Sequence, residues 1–124
     1  MLFRSQPGVD AFSTNGNATA TVASTILING SPAVPTTNYK SNPTGIRASS
    51  DLSGDASVTY TGPGITVHGG GGLGIVAVAG SPGGGSASGS ATVNASGGPI
   101  VADGSNAVGI LADSGFIRNV FTGG

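Results

Sequence analysis

His68 is the only histidine among 124 residues and therefore the first candidate for metal binding or proton transfer. It ends a short alternating segment and precedes a glycine, as Asn29 and Asp103 do in two similar segments. Asn, Asp, His and Gly are the residues that best tolerate the left-handed backbone of a turn. A position that exchanges Asn, His and Asp before Gly therefore predicts a turn rather than a metal ligand or a base.

The carboxylates are the next candidates, because β-helical enzymes that cleave polysaccharides act through acidic residues placed together in a groove. The chain has five Asp and no Glu. Asp51, Asp55, Asp103 and Asp113 lie near predicted corners, and none of them has a second carboxylate at strand spacing. The calcium-binding repeat G-G-x-G-x-D and cysteine are both absent from the sequence. These observations argue against a hydrolase, a lyase, a calcium site or a thiolate site.

Residues 69–74 (GGGGLG) match the dinucleotide-binding pattern G-x-G-x-x-G. That pattern binds a pyrophosphate at the start of a helix, and no helical segment follows here. With 24 glycines in the chain, the match is expected by chance. The sequons at Asn17, Asn29 and Asn94 are likewise expected in a chain so rich in Ser and Thr. The sequence thus predicts no catalytic, cofactor-binding or metal-binding residue, and no cofactor.

Composition limits the partners of this chain. Four Lys and Arg against five Asp give a net charge of −1, too little to steer nucleic acid or an anionic membrane surface. No apolar run approaches the length of a membrane helix, and the absence of Glu argues against helices. Glycine and proline together could indicate a disordered linker, but disorder also requires low hydrophobicity and high net charge. The chain has neither property.

A repeat supports an ordered fold. When residues 53–77 are set over residues 88–112, ten of 25 positions are identical, among them Val58/Val93, Ile65/Ile100 and Ile75/Ile110. A disordered linker does not repeat Val and Ile in register. A looser earlier copy matches the segment Ala20-Thr21-Val22 to Ala56-Ser57-Val58, residues 26–30 to residues 65–69, and residues 45–48 to residues 74–77. A fourth unit is predicted to begin in residues 114–120.

Each unit contains three short alternating segments separated by Gly, Pro, Asn and Asp, which is typical of short strands joined by tight corners. One unit cannot bury its own apolar side chains, whereas stacked units can. The sequence therefore predicts an all-β fold, a short right-handed parallel β-helix (β-solenoid) of about three coils with glycine-rich loops. Residues 1–17 are predicted to be an irregular N-terminal segment. Residues 18–124 are predicted to hold the repeats, approximately 18–48, 53–77, 88–112 and a partial unit over 113–121.

Residues 88–97 followed by residues 107–114, and the glycine tract before Gly74-Ile75-Val76-Ala77, resemble the passenger repeats of bacterial autotransporters. The resemblance covers roughly residues 45–124. It implies an extended β-helix that is exported through an outer-membrane barrel and displayed as an adhesin or surface stalk. The export signal and the barrel would lie outside this chain. Such repeats have no catalytic residues to transfer to this sequence.

The predicted function is a structural or adhesive segment of a secreted or cell-surface repeat protein, without catalysis. Its expected partners are neighbouring coils of a longer parent, other copies of itself, or a host or sister-cell surface; neither nucleic acid nor membrane insertion is expected. A self-assembling filament subunit is one alternative, because only residues 1–10 offer a cap for the open ends. An ice- or polysaccharide-binding β-helix is the other, because Thr19 and Thr21 alternate, as do Thr59 and Thr61.

Overall fold

The computed structural model describes residues 8–29, 43–80, 89–114 and 118–121. These residues form strands and contain no helix. The strands are β1 (Val9–Asn15), β2 (Ala18–Val22), β3 (Ile26–Asn29), β4 (Thr44–Ser53), β5 (Ala56–Tyr60), β6 (Ile65–His68), β7 (Leu73–Ala79), β8 (Ala91–Ala95), β9 (Ile100–Asp103), β10 (Val108–Asp113) and β11 (Arg118–Phe121). The predicted all-β class is confirmed.

The strands form three sheets, and the chain contributes one strand to each sheet in turn before it returns to the first. The sheet orders are β1-β4-β7-β10-β11, β2-β5-β8 and β3-β6-β9. Every neighbouring pair is parallel except β10 and β11. Parallel neighbours require a crossover between them, and here the crossover consists of strands of the other two sheets.

The pairing confirms the predicted offset of 35 residues between the second and third copies. Val58 lies opposite Val93, Ile65 opposite Ile100, and Ile75 opposite Ile110. Residues that are identical in the two copies therefore lie side by side on adjacent strands.

The first copy pairs differently from the prediction. Ala18, not Ala20, lies opposite Ala56, and Val22 lies opposite Tyr60 rather than Val58. The error is a slip of two residues, which keeps every side chain on its own face of the pleat and is therefore hard to detect from alternation alone. The predicted match of Ile26 to Ile65 is correct.

Both ends of the chain also depart from the prediction. Val9–Asn15, within the segment predicted to be irregular, is strand β1 and pairs in parallel with β4. Its sequence Gly8-Val9-Asp10-Ala11 repeats the Gly-Ile-x-Ala pattern found at Gly45 and Gly74. At the other end, β11 pairs antiparallel with β10, so that a fourth parallel unit does not continue there. Residues 1–7, 30–42, 81–88, 115–117 and 122–124 lie outside the described residues, and they include parts of the predicted units over 18–48 and 113–121.

The core lies between the three sheets and is formed by the inward side chains of each strand. The middle strands are buried most completely, since Val58, Tyr60, Ile65 and Val67 are all 0 % exposed. The Tyr60 hydroxyl accepts a hydrogen bond from the Gly64 N–H (2.7 Å) and donates one to the Ser24 carbonyl (3.1 Å). This buried polar group is therefore satisfied on both sides.

A second apolar cluster involves the other face of β7. Val76 and Val78, which alternate with the core residues Ile75 and Ala77, pack with Leu73 and Leu111. The strand β7 is thus buried on both faces. This explains why its sequence, LGIVAVA, is a continuous run of apolar and small residues.

Glycines allow the strands to stack closely at the corners. A Cβ at Gly74 would collide with the Gly109 carbonyl and would lie 2.5 Å from Ile100 Cγ2. Gly104 has φ +128°, and a side chain there would also meet the backbone of Gly69. At such corners the backbone of the neighbouring strand occupies the space that a Cβ atom would need.

Candidate functional site

The outer face of the β2-β5-β8 sheet is the most regular exposed surface among the described residues. Inward side chains alternate with outward ones along each strand, as the burial of Ala18, Ala56 and Val58 shows. The outward side chains form what we call the hydroxyl face: Thr19, Thr21, Ser57, Thr59, Thr92 and Asn94. All six are exposed or half-buried.

The hydroxyl face has two columns. Thr19, Ser57 and Thr92 pair directly across the three strands, and the pairing continues in the column of Thr21, Thr59 and Asn94. Parallel neighbours lie about 4.8 Å apart, and alternate residues of one strand lie about 6.6 Å apart. The result is a small two-dimensional lattice of hydroxyl and amide groups without a charge or an aromatic ring.

The sequence predicted a different array. Thr61 was expected to alternate with Thr59, but it lies beyond the end of β5. Ser57 belongs to the array instead, and it lies opposite Thr19. The observed columns hold hydroxyls at five of six positions.

The outer face of the β1-β4-β7-β10 sheet has a different chemistry. Arg47 donates two hydrogen bonds to Asp10 on the adjacent strand, from Nε to Oδ1 (3.1 Å) and from Nη2 to Oδ2 (2.6 Å). Only 12 % of the Arg47 side chain is exposed, so this bidentate pair is more than a loose surface contact. This pair joins β1 to β4, and the sequence alone suggested no role for either residue.

The third outer face, on the β3-β6-β9 sheet, combines apolar and ionisable side chains. Leu27 and Val101 are exposed there. His68 Nδ1 lies 2.9 Å from both carboxylate oxygens of Asp103, and about half of each side chain is exposed. A side-chain contact so open to solvent contributes little to stability.

The structure brings His68 and Asp103 together, which the sequence analysis did not anticipate. Both residues end their strands, and the following glycines, Gly69 and Gly104, have positive φ angles of 131° and 128°. His68 and Asp103 thus precede a turn, and the following glycine, rather than the His or Asp, adopts the left-handed backbone conformation. Among the described residues, no group of three or more His, Cys, Asp or Glu could hold a metal ion.

Asp55 has a structural role that the sequence analysis missed. Asn17 Oδ1 accepts a hydrogen bond from the Asp55 N–H (2.9 Å), and Asp55 Oδ1 accepts one from the Ser90 N–H (2.9 Å). These three residues each follow a glycine at the same corner: Gly16, Gly54 and Gly89. The Gly-Asn and Gly-Asp dipeptides at positions 16 and 54 are the sequence signal from which the correct register could have been found.

The glycine tract of residues 69–74 leads into a strand rather than a helix. Gly71 lies in the turn, with its N–H bonded to the Ser105 carbonyl (2.8 Å), and β7 begins at Leu73. A pyrophosphate site of the dinucleotide-binding type requires a helix N-terminus at this point. The tract instead forms a corner between two sheets.

Comparisons with protein-family models, with curated proteins and with solved structures gave no match to this chain. In the described part of the chain there is no helix of the length and hydropathy needed to cross a membrane.

Proposed function

We propose that the three sheets are the sides of a short β-solenoid of about three coils. The cyclic use of the sheets supports this winding, since the chain visits each sheet once before it returns to the first. We propose a right-handed coil because parallel crossover connections are right-handed in nearly all known cases. Side chains of like size stacked on adjacent strands are what such a winding requires.

We further propose that this solenoid is a structural or adhesive segment of a secreted or surface-displayed protein, of the kind found in autotransporter passengers. The observation that carries this proposal is the hydroxyl face, a regular array backed by inward side chains that are buried on β2 and β5 and partly buried on β8. A face with two columns of short polar side chains presents the same hydrogen-bonding groups at each level of the stack. Repetition of weak contacts is how such a surface binds another surface.

Adhesion is tested with the purified full chain on immobilised extracellular matrix and on intact bacterial cells. Thr59→Lys places a long charged side chain in the centre of the hydroxyl face. Thr66→Lys is the matched control, because Thr66 is a half-buried outward residue of β6 on a different face. We expect Thr59→Lys to reduce binding at least as strongly as truncation of an interface hot spot, and Thr66→Lys to leave it unchanged.

If the wild-type chain binds neither surface, the adhesive role is wrong and the chain is a spacer. If both variants lose binding equally, the hydroxyl face is not the contact surface.

Ice binding is a second candidate, because the same two columns form a regular, uncharged lattice of hydroxyl and amide groups. Thermal hysteresis of the wild-type chain, lost in Thr59→Lys and kept in Thr66→Lys, would support this function over adhesion. A wild-type chain without hysteresis would exclude it.

A further inference from the structure

The two ends of the stack leave strand edges and core side chains uncovered in the described part of the chain. The strands β1, β2 and β3 each have one neighbour, and so do β8 and β9. Val9 and Ile28 at one end, and Val93 at the other, are only partly buried, whereas Val58 in the middle is 0 % exposed. Unpaired edges beside an open apolar core are surfaces that another strand layer fits.

The two ends are complementary to each other. Ala18 pairs with Ala56, which in turn pairs with Ala91, so a second copy's β2 would meet β8 with alanine on alanine again. Similarly, Ile26 pairs with Ile65 and Ile65 with Ile100, so that a second copy's β3 would continue the isoleucine column on β9.

The corner contacts repeat in the same direction. Asn17 accepts a hydrogen bond from the Asp55 N–H, and Asp55 accepts one from the Ser90 N–H. Ser90 has a hydroxyl oxygen that can accept the N–H of a second copy's Asn17. The β1-β2-β3 layer therefore fits on the β7-β8-β9 layer by the contacts already present within one chain.

One strand stands in the way of this stacking. A second copy's β1 would have to lie on β7, where β10 already lies with Ile110 opposite Ile75 and Ala112 opposite Ala77. The side chains of β1 suit that place, because Val9 and Ala11 lie opposite Ile46 and Ala48, which in turn lie opposite Ile75 and Ala77. β10 lies on the edge of β7 that faces away from β4, and this is the edge that a second copy's β1 would need.

We propose that β10 occupies the docking site for a second copy's β1 and so limits head-to-tail assembly. When β10 leaves β7, the β1-β2-β3 layer of one copy stacks on the β7-β8-β9 layer of the next. Such an interface joins two different surfaces and does not close, so the product is a linear filament. This inference rests on the proposed solenoid winding.

The test uses the full chain with Ala112→Pro, because proline within a strand that has neighbours on both sides disrupts its pairing. Analytical ultracentrifugation is expected to show a monomeric wild type and a variant whose sedimentation coefficient rises with concentration. The double variant Ala112→Pro with Ala11→Pro should return to monomer, because its β1 can no longer pair. Leu111→Ala, which loosens β10 without proline, is the milder second variant should Ala112→Pro lose its β-sheet circular dichroism.

Cysteines at Thr21 and Asn94 provide a second readout in the same backgrounds. Within one copy these positions are separated by Thr59, and hence by two strand spacings of about 4.8 Å each, too far for a disulfide. In stacked copies they are neighbours, so that oxidation should give a ladder of intermolecular cross-links only when β10 is released.

A folded Ala112→Pro or Leu111→Ala protein that stays monomeric and forms no ladder would overturn the inference. So would assembly that persists in the double variant. Failure of the strand pairing on which the solenoid proposal rests has a different signature: cysteines at Thr21 and Thr59 would then fail to cross-link within a single wild-type monomer.

Discussion

At the scale of single residues, close backbone approach decides which side chains the corners accept. Gly74→Ala would press a methyl group against the Gly109 carbonyl and Ile100 Cγ2. Overpacking of this kind costs about 1–3 kcal/mol. We expect a loss of that size in the free energy of unfolding, measured by urea denaturation.

Gly64→Ala is the control, because the nearest atom to its new Cβ is the Pro99 carbonyl oxygen at 3.3 Å. We expect this variant to change stability by less than about 1 kcal/mol. A loss below about 1 kcal/mol in Gly74→Ala would show that the corner at Gly74 is not as closely packed as described.

Tyr60 provides a second test at this scale, because its buried hydroxyl bridges backbone groups of two neighbouring corners, at Ser24 and Gly64. Tyr60→Phe leaves the Gly64 N–H and the Ser24 carbonyl without this partner. Since unsatisfied buried groups cost about 1–3 kcal/mol, we expect a loss in that range in urea denaturation. A variant as stable as the wild type would mean that water reaches both groups.

Residue types at the corners could be predicted from the sequence, but side-chain partners could not. The exchange of Asn29, His68 and Asp103 before glycine identified a turn-associated position. The contact between His68 and Asp103 depends on a strand pairing 35 residues apart and becomes visible only when the register is known. The same is true of the Asn17, Asp55 and Ser90 hydrogen bonds.

At the scale of elements, the strands β5, β8, β6 and β9 and their offset were predicted correctly, because Val and Ile recur in register. The register of β2 was not, since the alternating sequence ATATV fits β5 equally well after a slip of two residues. The bulky Tyr60 opposite Val22 and the corner at Gly16 and Gly54 distinguish the two registers. β1 was missed because its Gly-Val-Asp-Ala sequence has an acidic residue, which pairs with Arg47 on the outer face.

Inward and outward side chains alternate along β5, and substitutions at neighbouring positions test this alternation. Val58 is 0 % exposed, and a lysine there would place an unpaired charge in the core. We expect Val58→Lys to cost roughly 3 kcal/mol or more and to abolish the β-sheet circular dichroism at ambient temperature.

Thr59→Lys, one residue further along the same strand, points outward and should change stability by less than about 1 kcal/mol. Reversed effects in the two variants would mean that the faces of β5 are exchanged.

At the scale of the whole molecule, the fold is a stack with a buried middle layer and two less covered ends. The net charge of −1 neither opposes nor directs contact between copies. Contact between copies at the ends of the stack therefore depends on strand pairing. One end differs from the rest of the stack, because β10 pairs there with the antiparallel strand β11. The sequence predicted a further parallel unit there, because apolar alternation does not distinguish the direction of a strand.

The parallel register of the stacked strands is tested most directly by cysteine cross-linking, since the chain has no cysteine of its own. Thr21 lies opposite Thr59, at about 4.8 Å, within the range that a disulfide spans. Ser57 is two residues away from that position, at about 8 Å from Thr21. In a glutathione buffer, the monomer with cysteines at 21 and 59 should form an intramolecular disulfide, and the monomer with cysteines at 21 and 57 should stay reduced. A disulfide between 21 and 57, or none in either protein, would contradict the described stack.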